Sequence, residues 1–244
     1  MNRLIFNAFI TSVTGSALLS LSGINSAQAV NLLQNGSFEN TAGTFVNNGF
    51  GWQSLNPGST VIPGWTTTTA ELAWGKNGNV DGVATPFESF FLELAGYHNS
   101  FPYGGVTQTI NTTVDQQYTL SLSLGTLNPT APGPISVTAT AGSTSQTFTS
   151  NPSGAGNQWN NFSFDFTATS TSTPISIVGI STANIYYIGL DNASVEAKQT
   201  KTVPEPSNIL GLGLLGLGLA ATKVKGVLSK KAKSPTDNSQ TTDS

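Results

Sequence analysis

Apolar and polar residues alternate one by one along several parts of the chain, most clearly at 118–124, where tyrosine and leucine alternate with threonine and serine. Similar alternation occurs at 135–139, 162–166 and 175–177. A period of two places the apolar side chains of a β-strand on one face of a sheet and the polar side chains on the other. The pattern therefore predicts strands that each bury one face.

Segments rich in glycine, proline and asparagine separate these strands. Two examples are NPTAPGP at 128–134 and SNPSGAGN at 150–157, whose residues end strands and form turns. Shorter apolar runs predict further strands in the first half, at 72–74, 90–94 and 106–110. No helical pattern of similar length precedes residue 205. Many short, half-buried strands with turns between them indicate an all-β protein, an antiparallel β-sandwich over residues 30–197.

The N-terminus differs from this central part. Arg3 precedes an apolar stretch, and Ala27-Gln28-Ala29 fits the small-x-small pattern of a signal-peptide cleavage site. Polar residues interrupt the apolar stretch too often for a stable membrane span. Residues 1–29 are therefore predicted to be a signal peptide, and we expect the protein to be exported.

A second apolar segment lies near the C-terminus, after a polar linker at 198–202. It follows the sequence VPEP at 203–206, whose prolines hold the chain extended. The 13 apolar residues at 209–221 predict a single short hydrophobic helix, below the roughly 20 residues that cross a bilayer. A basic cluster of the stop-transfer type follows: Lys223, Lys225, Lys230, Lys231 and Lys233. We expect 234–244 to be a disordered tail.

The order of a Pro-Glu-Pro motif, a short apolar helix and a basic cluster resembles the PEP-CTERM sorting domain of bacterial exported proteins, over residues 203–233. The resemblance implies recognition by an exosortase-type membrane protease-transpeptidase, with Val203, Pro204, Glu205 and Pro206 as the sorting motif. It also implies membrane association through the C-terminal helix before processing, and then delivery to the cell surface or extracellular matrix. The alternative is an ordinary C-terminal membrane anchor.

Composition and charge exclude several classes of site. The chain has no cysteine, hence no disulfide and no thiolate site, and a single histidine rules out a histidine-rich metal site. Between Val30 and Val203 there are three lysines and nine acidic residues. Because nucleic-acid binding requires a basic surface, this acidic balance argues against a nucleic-acid partner.

Four short motifs, taken in order, resemble those of galactose-binding-like jelly rolls, a group that includes several carbohydrate-binding modules. They are NLLQNGSFE at 31–39, IPGW at 62–65, GGVTQTI at 104–110 and YIGLDNASV at 187–195. The resemblance implies that the sandwich at 30–197 is a jelly roll. It also implies that the first and last strands lie side by side and share a structural calcium ion, with Glu39 and Asp191 as ligands.

Two residues depart from the family's closing motif. Leu190 stands where isoleucine is common, and Asn192 stands in place of a second acid. The alternative to calcium binding is that Glu39 is a solvated strand residue and that Asp191 caps a turn. Calcium is the one cofactor that the sequence suggests.

Aromatic residues in or beside loops are the candidates for ligand contact. Trp52 and Tyr103 are of this kind, and such rings can stack on a sugar while nearby polar groups bind its hydroxyls. The alternative is that they fill the ends of the sandwich. Trp65 and Trp159 lie on strands with apolar patterning, so we expect both in the core.

These features favour an exported, surface-sorted protein without catalytic activity, whose sandwich binds or forms part of an extracellular polysaccharide matrix. One alternative is a structural or adhesive surface protein that contacts other proteins. Another is a glycan hydrolase with a carboxylate pair; the acids available for it are Glu71, Asp81, Glu88 and Glu93. His98 is expected to be a loop residue, and the sequence has no G-x-S-x-G motif for a serine nucleophile.

Overall fold

The structure is a computed structural model that describes residues 30–79, 82–97, 101–128, 133–180 and 187–199. The predicted signal peptide, sorting segment and tail lie outside these ranges, as do Asp81 and His98. Only Lys198 and Gln199 of the predicted linker are described. Within the described ranges, no helix is both long and apolar enough to cross a membrane.

The described residues form eleven β-strands in two antiparallel sheets. The strands are β1 (Trp52–Leu55), β2 (Thr66–Thr68), β3 (Leu72–Lys76), β4 (Phe90–Glu93), β5 (Gly105–Asn111), β6 (Gln117–Asn128), β7 (Ile135–Ala141), β8 (Thr144–Ser150), β9 (Gly156–Thr167), β10 (Ser172–Gly179) and β11 (Gly189–Ala197). The six-stranded sheet has the order β1-β3-β4-β11-β6-β9, and the five-stranded sheet has the order β2-β5-β10-β7-β8. The prediction of an all-β, antiparallel jelly-roll β-sandwich is confirmed, and the predicted C-terminal helix lies outside the described residues.

The alternation along the strands decides which side chains fill the space between the two sheets. In β6, the side chains of Leu120, Leu122 and Leu124 are at most 1% exposed, while the polar residues between them face away. In β7, Ile135 and Val137 are fully buried in the same way. Burial of each such side chain stabilises the fold by about 1.5–3 kcal/mol, so the pattern read from the sequence is the pattern that forms the core.

The N-terminal segment of the sandwich runs beside β11. Asn31 Oδ1 accepts the backbone N–H of Val195 at 2.9 Å, and Asn31 Nδ2 donates to the carbonyl oxygen of Ala193 at 3.2 Å. The N–H of Ala193 donates to the carbonyl oxygen of Gly36 at 2.9 Å. A Cβ on Gly36 would lie 2.0 Å from the carbonyl oxygen of Ala193, so only glycine permits this approach. The motif at 31–39 therefore lies against the final strand.

Candidate functional site

The outer face of the six-stranded sheet carries the candidate site, at the edge formed by β1. Trp52 lies opposite Gly75 and Ser54 lies opposite Ala73, which in turn lies opposite Glu93 of β4. Opposed residues of antiparallel strands point to the same face of a sheet. Trp52, Ser54 and Glu93 therefore share the outer face, whereas the alternate residues of these strands fill the core.

An aromatic pair stands at this edge. The rings of Trp52 and Tyr97 have centroids 5.8 Å apart and planes inclined by 33°. Trp52 is half-buried, and Tyr97, in the turn that follows β4, is 71% exposed. Because Tyr97 is so exposed, the pair presents apolar ring surface to solvent.

A carboxyl group lies next to the aromatic pair. Glu71 Oε1 accepts the hydroxyl of Ser54, and Glu71 Oε2 accepts the backbone N–H of Tyr97 at 2.6 Å. Glu71 thus joins the strand that carries Trp52 to the turn that carries Tyr97. We call Trp52, Ser54, Glu71 and Tyr97 the Trp52 cluster.

The chemistry of the Trp52 cluster suits a sugar. Trp and Tyr rings bind the apolar face of a sugar ring, and polar groups beside them bind its hydroxyls. A carboxylate has about four lone-pair sites, and the two hydrogen bonds to Glu71 occupy one on each oxygen. Both oxygens can therefore accept further donors from solvent or ligand.

Glu93 lies behind the Trp52 cluster and is 4% exposed. Its Oε1 accepts the backbone N–H groups of Ala95 at 2.7 Å and Ile188 at 3.0 Å. The pKa of Glu93 is raised to about 8, mainly by burial and to a smaller extent by the charge of Glu71, while the hydrogen bonds from Ile188, Ala95 and Gly96 oppose the rise. Glu93 is therefore mostly protonated at neutral pH.

Tyr103 is not part of this site, and its prediction as a ligand contact is wrong. Its side chain is fully buried, with 0% exposure. A Cβ on Gly179 would lie 2.7 Å from the Cβ of Tyr103, which shows how closely the tyrosine packs over the end of β10. Phe101, whose ring meets Tyr103 edge-on at 6.2 Å, is 67% exposed instead. The alternative, that the side chain of Tyr103 fills space inside the sandwich, agrees with this burial.

The two tryptophans expected in the core, Trp65 and Trp159, differ in their burial and in the face of the sandwich on which they lie. Trp65 is 2% exposed and its indole N–H donates to the carbonyl oxygen of Asn35 at 3.0 Å, so its core position is confirmed. Trp159 is half-buried and lies outside the main core, on the outer face of the six-stranded sheet. Its ring covers Gly125, where a Cβ would lie 2.2 Å from the indole. The prediction for Trp159 is wrong because glycine on the neighbouring strand leaves room for the ring on the outer face.

The sequence reasoning missed Tyr97. Trp52 and Tyr97 belong to different segments, and nothing in the alternation says that the turn after β4 reaches β1. The local signal is Gly96, which has a φ of 63° and permits a tight turn just before the tyrosine. That signal predicts a turn without saying which strand the turn meets.

The two residues predicted as calcium ligands both make specific contacts. Glu39 Oε1 accepts the backbone N–H groups of Ser89 at 2.8 Å and Phe90 at 2.5 Å. Asp191 is fully buried in β11, where Oδ2 accepts the hydroxyl of Thr85 at 2.5 Å. Asp191 is therefore a strand residue rather than the cap of a turn. Glu39 is held by hydrogen bonds from the backbone at the start of β4.

The electrostatics around Asp191 favour a cation. The pKa of Asp191 is raised to about 8, mainly by burial and also by the negative charges of Glu39 and Glu88, while the hydrogen bonds from Thr85 and Asn192 oppose the rise. The available donors are carboxyl and hydroxyl oxygens, which are the ligands that calcium prefers. Among the described residues, however, no three His, Cys, Asp or Glu side chains converge closely enough to hold a metal ion. The chemistry of the donors fits calcium, and any further ligands would have to be backbone, hydroxyl or water oxygens.

Comparison with known proteins gives one family. A family model described as "Protein of unknown function (DUF642)" matches residues 31–193. No match was found among curated proteins.

Several solved structures resemble the chain at low identity. One titled "CBM4 structure and function" is 19% identical, with 68% of this chain and 99% of that chain covered and a TM-score of 0.35. A family 61 module in complex with β-1,4-galactotriose is 11% identical, with coverage of 69% and 99% and a TM-score of 0.35. A family 35 carbohydrate-binding module from Clostridium thermocellum is 12% identical, with coverage of 59% and 97% and a TM-score of 0.38. These TM-scores are below 0.5, so the function is argued from the residues of this chain.

Proposed function

This chain belongs to the DUF642 family, and we propose that its β-sandwich binds an extracellular polysaccharide at the Trp52 cluster. The observation that carries the proposal is the Trp52–Tyr97 ring pair, with a half-buried Trp52 and an exposed Tyr97, beside the carboxyl group of Glu71. The ring pair would stack on a sugar, and Glu71 would accept hydrogen bonds from its hydroxyls.

The proposal includes no catalytic activity for this protein. Glu93, the acid next to Glu71, is buried and its Oε1 is held by two backbone N–H groups. A general acid must reach the leaving-group oxygen of the sugar, and a buried carboxyl beneath a turn is poorly placed for that. The hydrolase alternative would instead require cleavage of the bound glycan.

Calcium is proposed as a structural cofactor at Glu39 and Asp191. The support is the buried Asp191 carboxyl, close enough to Glu39 and Glu88 for their charges to raise its pKa. When bound, calcium would supply positive charge that offsets this repulsion. Its role would be to tie the N-terminal segment, β11 and the start of β4 together.

Export and surface sorting are proposed from the sequence. The signal peptide at 1–29, the Pro-Glu-Pro motif and the basic cluster support delivery to the cell surface or extracellular matrix through an exosortase-type enzyme, with the C-terminal helix in the membrane before processing. All of these segments lie outside the described residues.

A structural or adhesive role is the second candidate, and β9 favours it. Among the described strands, β9 is at the edge of the six-stranded sheet, is 12 residues long and has largely exposed or half-exposed side chains. A long exposed edge can pair with a strand of another protein. Pairing at β9 would not involve the Trp52 cluster, which is at the opposite edge.

The test of polysaccharide binding uses the full chain in detergent micelles. Its affinity is measured for hexasaccharides of β-1,4-linked glucose, mannose, xylose and galactose by titration calorimetry. We expect at least one of these hexasaccharides to bind, and Trp52→Ala to lower its affinity at least tenfold. The control is Val114→Ala, at an exposed apolar position on the β5–β6 turn, which should have no effect. Equal binding by Trp52→Ala and wild type, or no binding at all, contradicts the proposal, and release of shorter sugars supports the hydrolase alternative.

A further inference from the structure

We propose that Glu93 is a positioning residue of the Trp52 cluster, which holds the turn at 94–97 so that Tyr97 stays against Trp52. The inference rests on the proposed polysaccharide binding at this cluster. It assigns to Glu93 a role in ligand affinity although Glu93 itself does not contact the ligand.

The hydrogen bonds of Glu93 join three parts of the molecule. Glu93 is the last residue of β4, and its Oε1 accepts the N–H of Ala95, inside the turn, at 2.7 Å. The same oxygen accepts the N–H of Ile188, just before β11, at 3.0 Å. One buried oxygen therefore fixes the start of the turn to the neighbouring strand.

Beyond Ala95, the turn contacts both carboxyl groups, because the backbone of Gly96 also donates a hydrogen bond to Glu93 while Tyr97 is bonded to Glu71. Tyr97 N–H donates to Glu71 Oε2 at 2.6 Å. At Gly96, a Cβ would lie 2.4 Å from Glu71 Oε2 and 2.5 Å from the carbonyl oxygen of Glu71. The turn is thus held between two carboxyl groups, Glu93 at its base and Glu71 at its tip, and the position of Tyr97 depends on both.

The second connection of the turn is made by the backbone. Leu94 N–H donates to the carbonyl oxygen of Ile188 at 2.9 Å, and Gly104 N–H donates to the carbonyl oxygen of Leu94 at 2.7 Å. These bonds fix Leu94 but reach no further along the turn. Ala95 is the first residue beyond them, so the bond from Ala95 to Glu93 orients the part of the turn that leads to Tyr97.

The protonation of Glu93 should govern how firmly the turn is held. The charged group facing Glu93 is Glu71, from the segment before β3, and the pKa of Glu93 is raised to about 8 by burial and by that charge. The opposing residues Ala73 of β3 and Gly189 of β11 carry no charge. In the sequence, the titratable residues next to the hydrogen-bonded segments are Tyr97, in the turn, and Tyr187, before Ile188. A protonated Glu93 still accepts through its carbonyl oxygen, whereas an ionised Glu93 is costly to keep buried and is also repelled by Glu71, so ionisation favours an opened turn in which water reaches the carboxylate. We therefore expect the turn to loosen above pH 8.

The variant Glu93→Gln separates positioning from mere stability. Glutamine keeps an oxygen acceptor of the same reach but does not titrate. In the full chain, wild-type affinity for the β-1,4-linked hexasaccharides named above should fall between pH 7 and pH 9. The expected fall is about tenfold, which corresponds to a difference of about one unit between the pKa of Glu93 in the held turn and its pKa in the loosened turn. Glu93→Gln should bind as wild type does at pH 7 and keep that affinity at pH 9. Identical pH profiles for the two proteins would overturn the proposal.

A second measurement needs no ligand. Amide hydrogen exchange at pH 7 should be at least tenfold faster at Ala95 and Tyr97 in Glu93→Ala than in wild type, with exchange in β6 unchanged, and Glu93→Gln should restore slow exchange. Unchanged exchange at the turn in Glu93→Ala would overturn the positioning role. If Glu93→Ala does not fold, wild type and Glu93→Gln are compared at pH 7 and pH 9, after correction for intrinsic rates, and only wild type should lose protection. Slow exchange restored by Gln, together with no hexasaccharide binding, would contradict the proposed function and leave the positioning role supported.

Discussion

The ring of Trp52 lies against the ring of Tyr97, with their centroids 5.8 Å apart, although the two residues belong to separate segments of the chain. Glu71 closes the arrangement, since it accepts hydrogen bonds from Ser54 beside Trp52 and from the backbone of Tyr97. The cluster is small, exposed and amphipathic. These properties suit recognition of a sugar ring.

Replacing Tyr97 should affect ligand affinity and not stability. The side chain is 71% exposed, so its removal leaves no cavity in the core. An aromatic contact is worth about 0.5–1.5 kcal/mol beyond its area, and we expect Tyr97→Ala to weaken hexasaccharide binding about tenfold while Tyr97→Phe, which keeps the ring, changes it less than about threefold. Calorimetric titration and a thermal melt of each variant check both parts. An equal loss in Tyr97→Ala and Tyr97→Phe would show that stacking is not the source of affinity.

The hydrogen bond between Ser54 and Glu71 should appear as an energetic coupling. We expect Ser54→Ala and Glu71→Ala to be non-additive in urea unfolding, with a coupling free energy of about 1 kcal/mol. The control pair is Ser54→Ala with Thr119→Ala, because Thr119 is on β6, four strands away in the same sheet. That pair should be additive. Additivity in both cycles would mean that Glu71 does not couple β1 to the turn.

Calcium should stabilise the sandwich if it binds at Glu39 and Asp191. Binding to the native state alone adds about 2.7 kcal/mol at a concentration of 100 times Kd, so calcium should raise the melting temperature of EDTA-treated protein. Asp191→Asn should remove most of that rise. Asp165→Asn is the matched control, because Asp165 is an exposed acid paired with Lys198 at 2.6 Å, and its response to calcium should equal that of wild type. No rise in the wild-type protein would contradict the calcium site.

Stability in EDTA should decrease as pH rises. The pKa of Glu93 is raised from 4.5 to about 8 in the folded protein, so between these values the unfolded chain is ionised while native Glu93 holds its proton. The native state then binds more protons, and the free energy of unfolding falls with increasing pH until it levels off above pH 8. Urea unfolding at pH 5, 7 and 9 checks this, with a total loss of roughly a few kcal/mol. Asp191, whose pKa is raised in the same direction, contributes to the same loss, so Glu93→Gln should make the profile shallower without abolishing it. A wild-type protein that gains stability from pH 5 to pH 9 would contradict the prediction.

Gly36 should be indispensable for the contact between the N-terminal segment and β11. A Cβ there would lie 2.0 Å from the carbonyl oxygen of Ala193, and relieving that overlap requires the two segments to separate. We expect Gly36→Ala to destabilise the protein by about 2 kcal/mol or more. Gly154→Ala is the control, since its Cβ would meet only the end of the flexible Gln158 side chain, at 2.6 Å. Equal melting temperatures for the two variants would show that the segments are not tightly joined.

Local pattern was enough for the strands with clear alternation, such as β6, β7 and β10, and for their inner faces, whereas β1 and β8 were not predicted. Leu120, Leu122 and Leu124 are buried as the alternation predicts, because the side-chain period of a strand is a property of the backbone and does not depend on what lies opposite. The sequence motif at 31–39 likewise contains Gly36, the residue that the close approach to β11 requires.

The composition of the site was decided by tertiary structure. Trp52 could be proposed from its place near a loop, but its partner Tyr97 depends on where the turn after β4 meets β1, and Tyr103 is buried because it packs over Gly179 of a distant strand. The raised pKa of Glu93 arises in the same way, since burial and the charge of Glu71 come from separate segments. The sequence by itself determined the strands that alternate clearly and their apolar faces. The path of the connections through space determined which aromatic and acidic side chains meet, because those contacts join segments that have no local pattern in common.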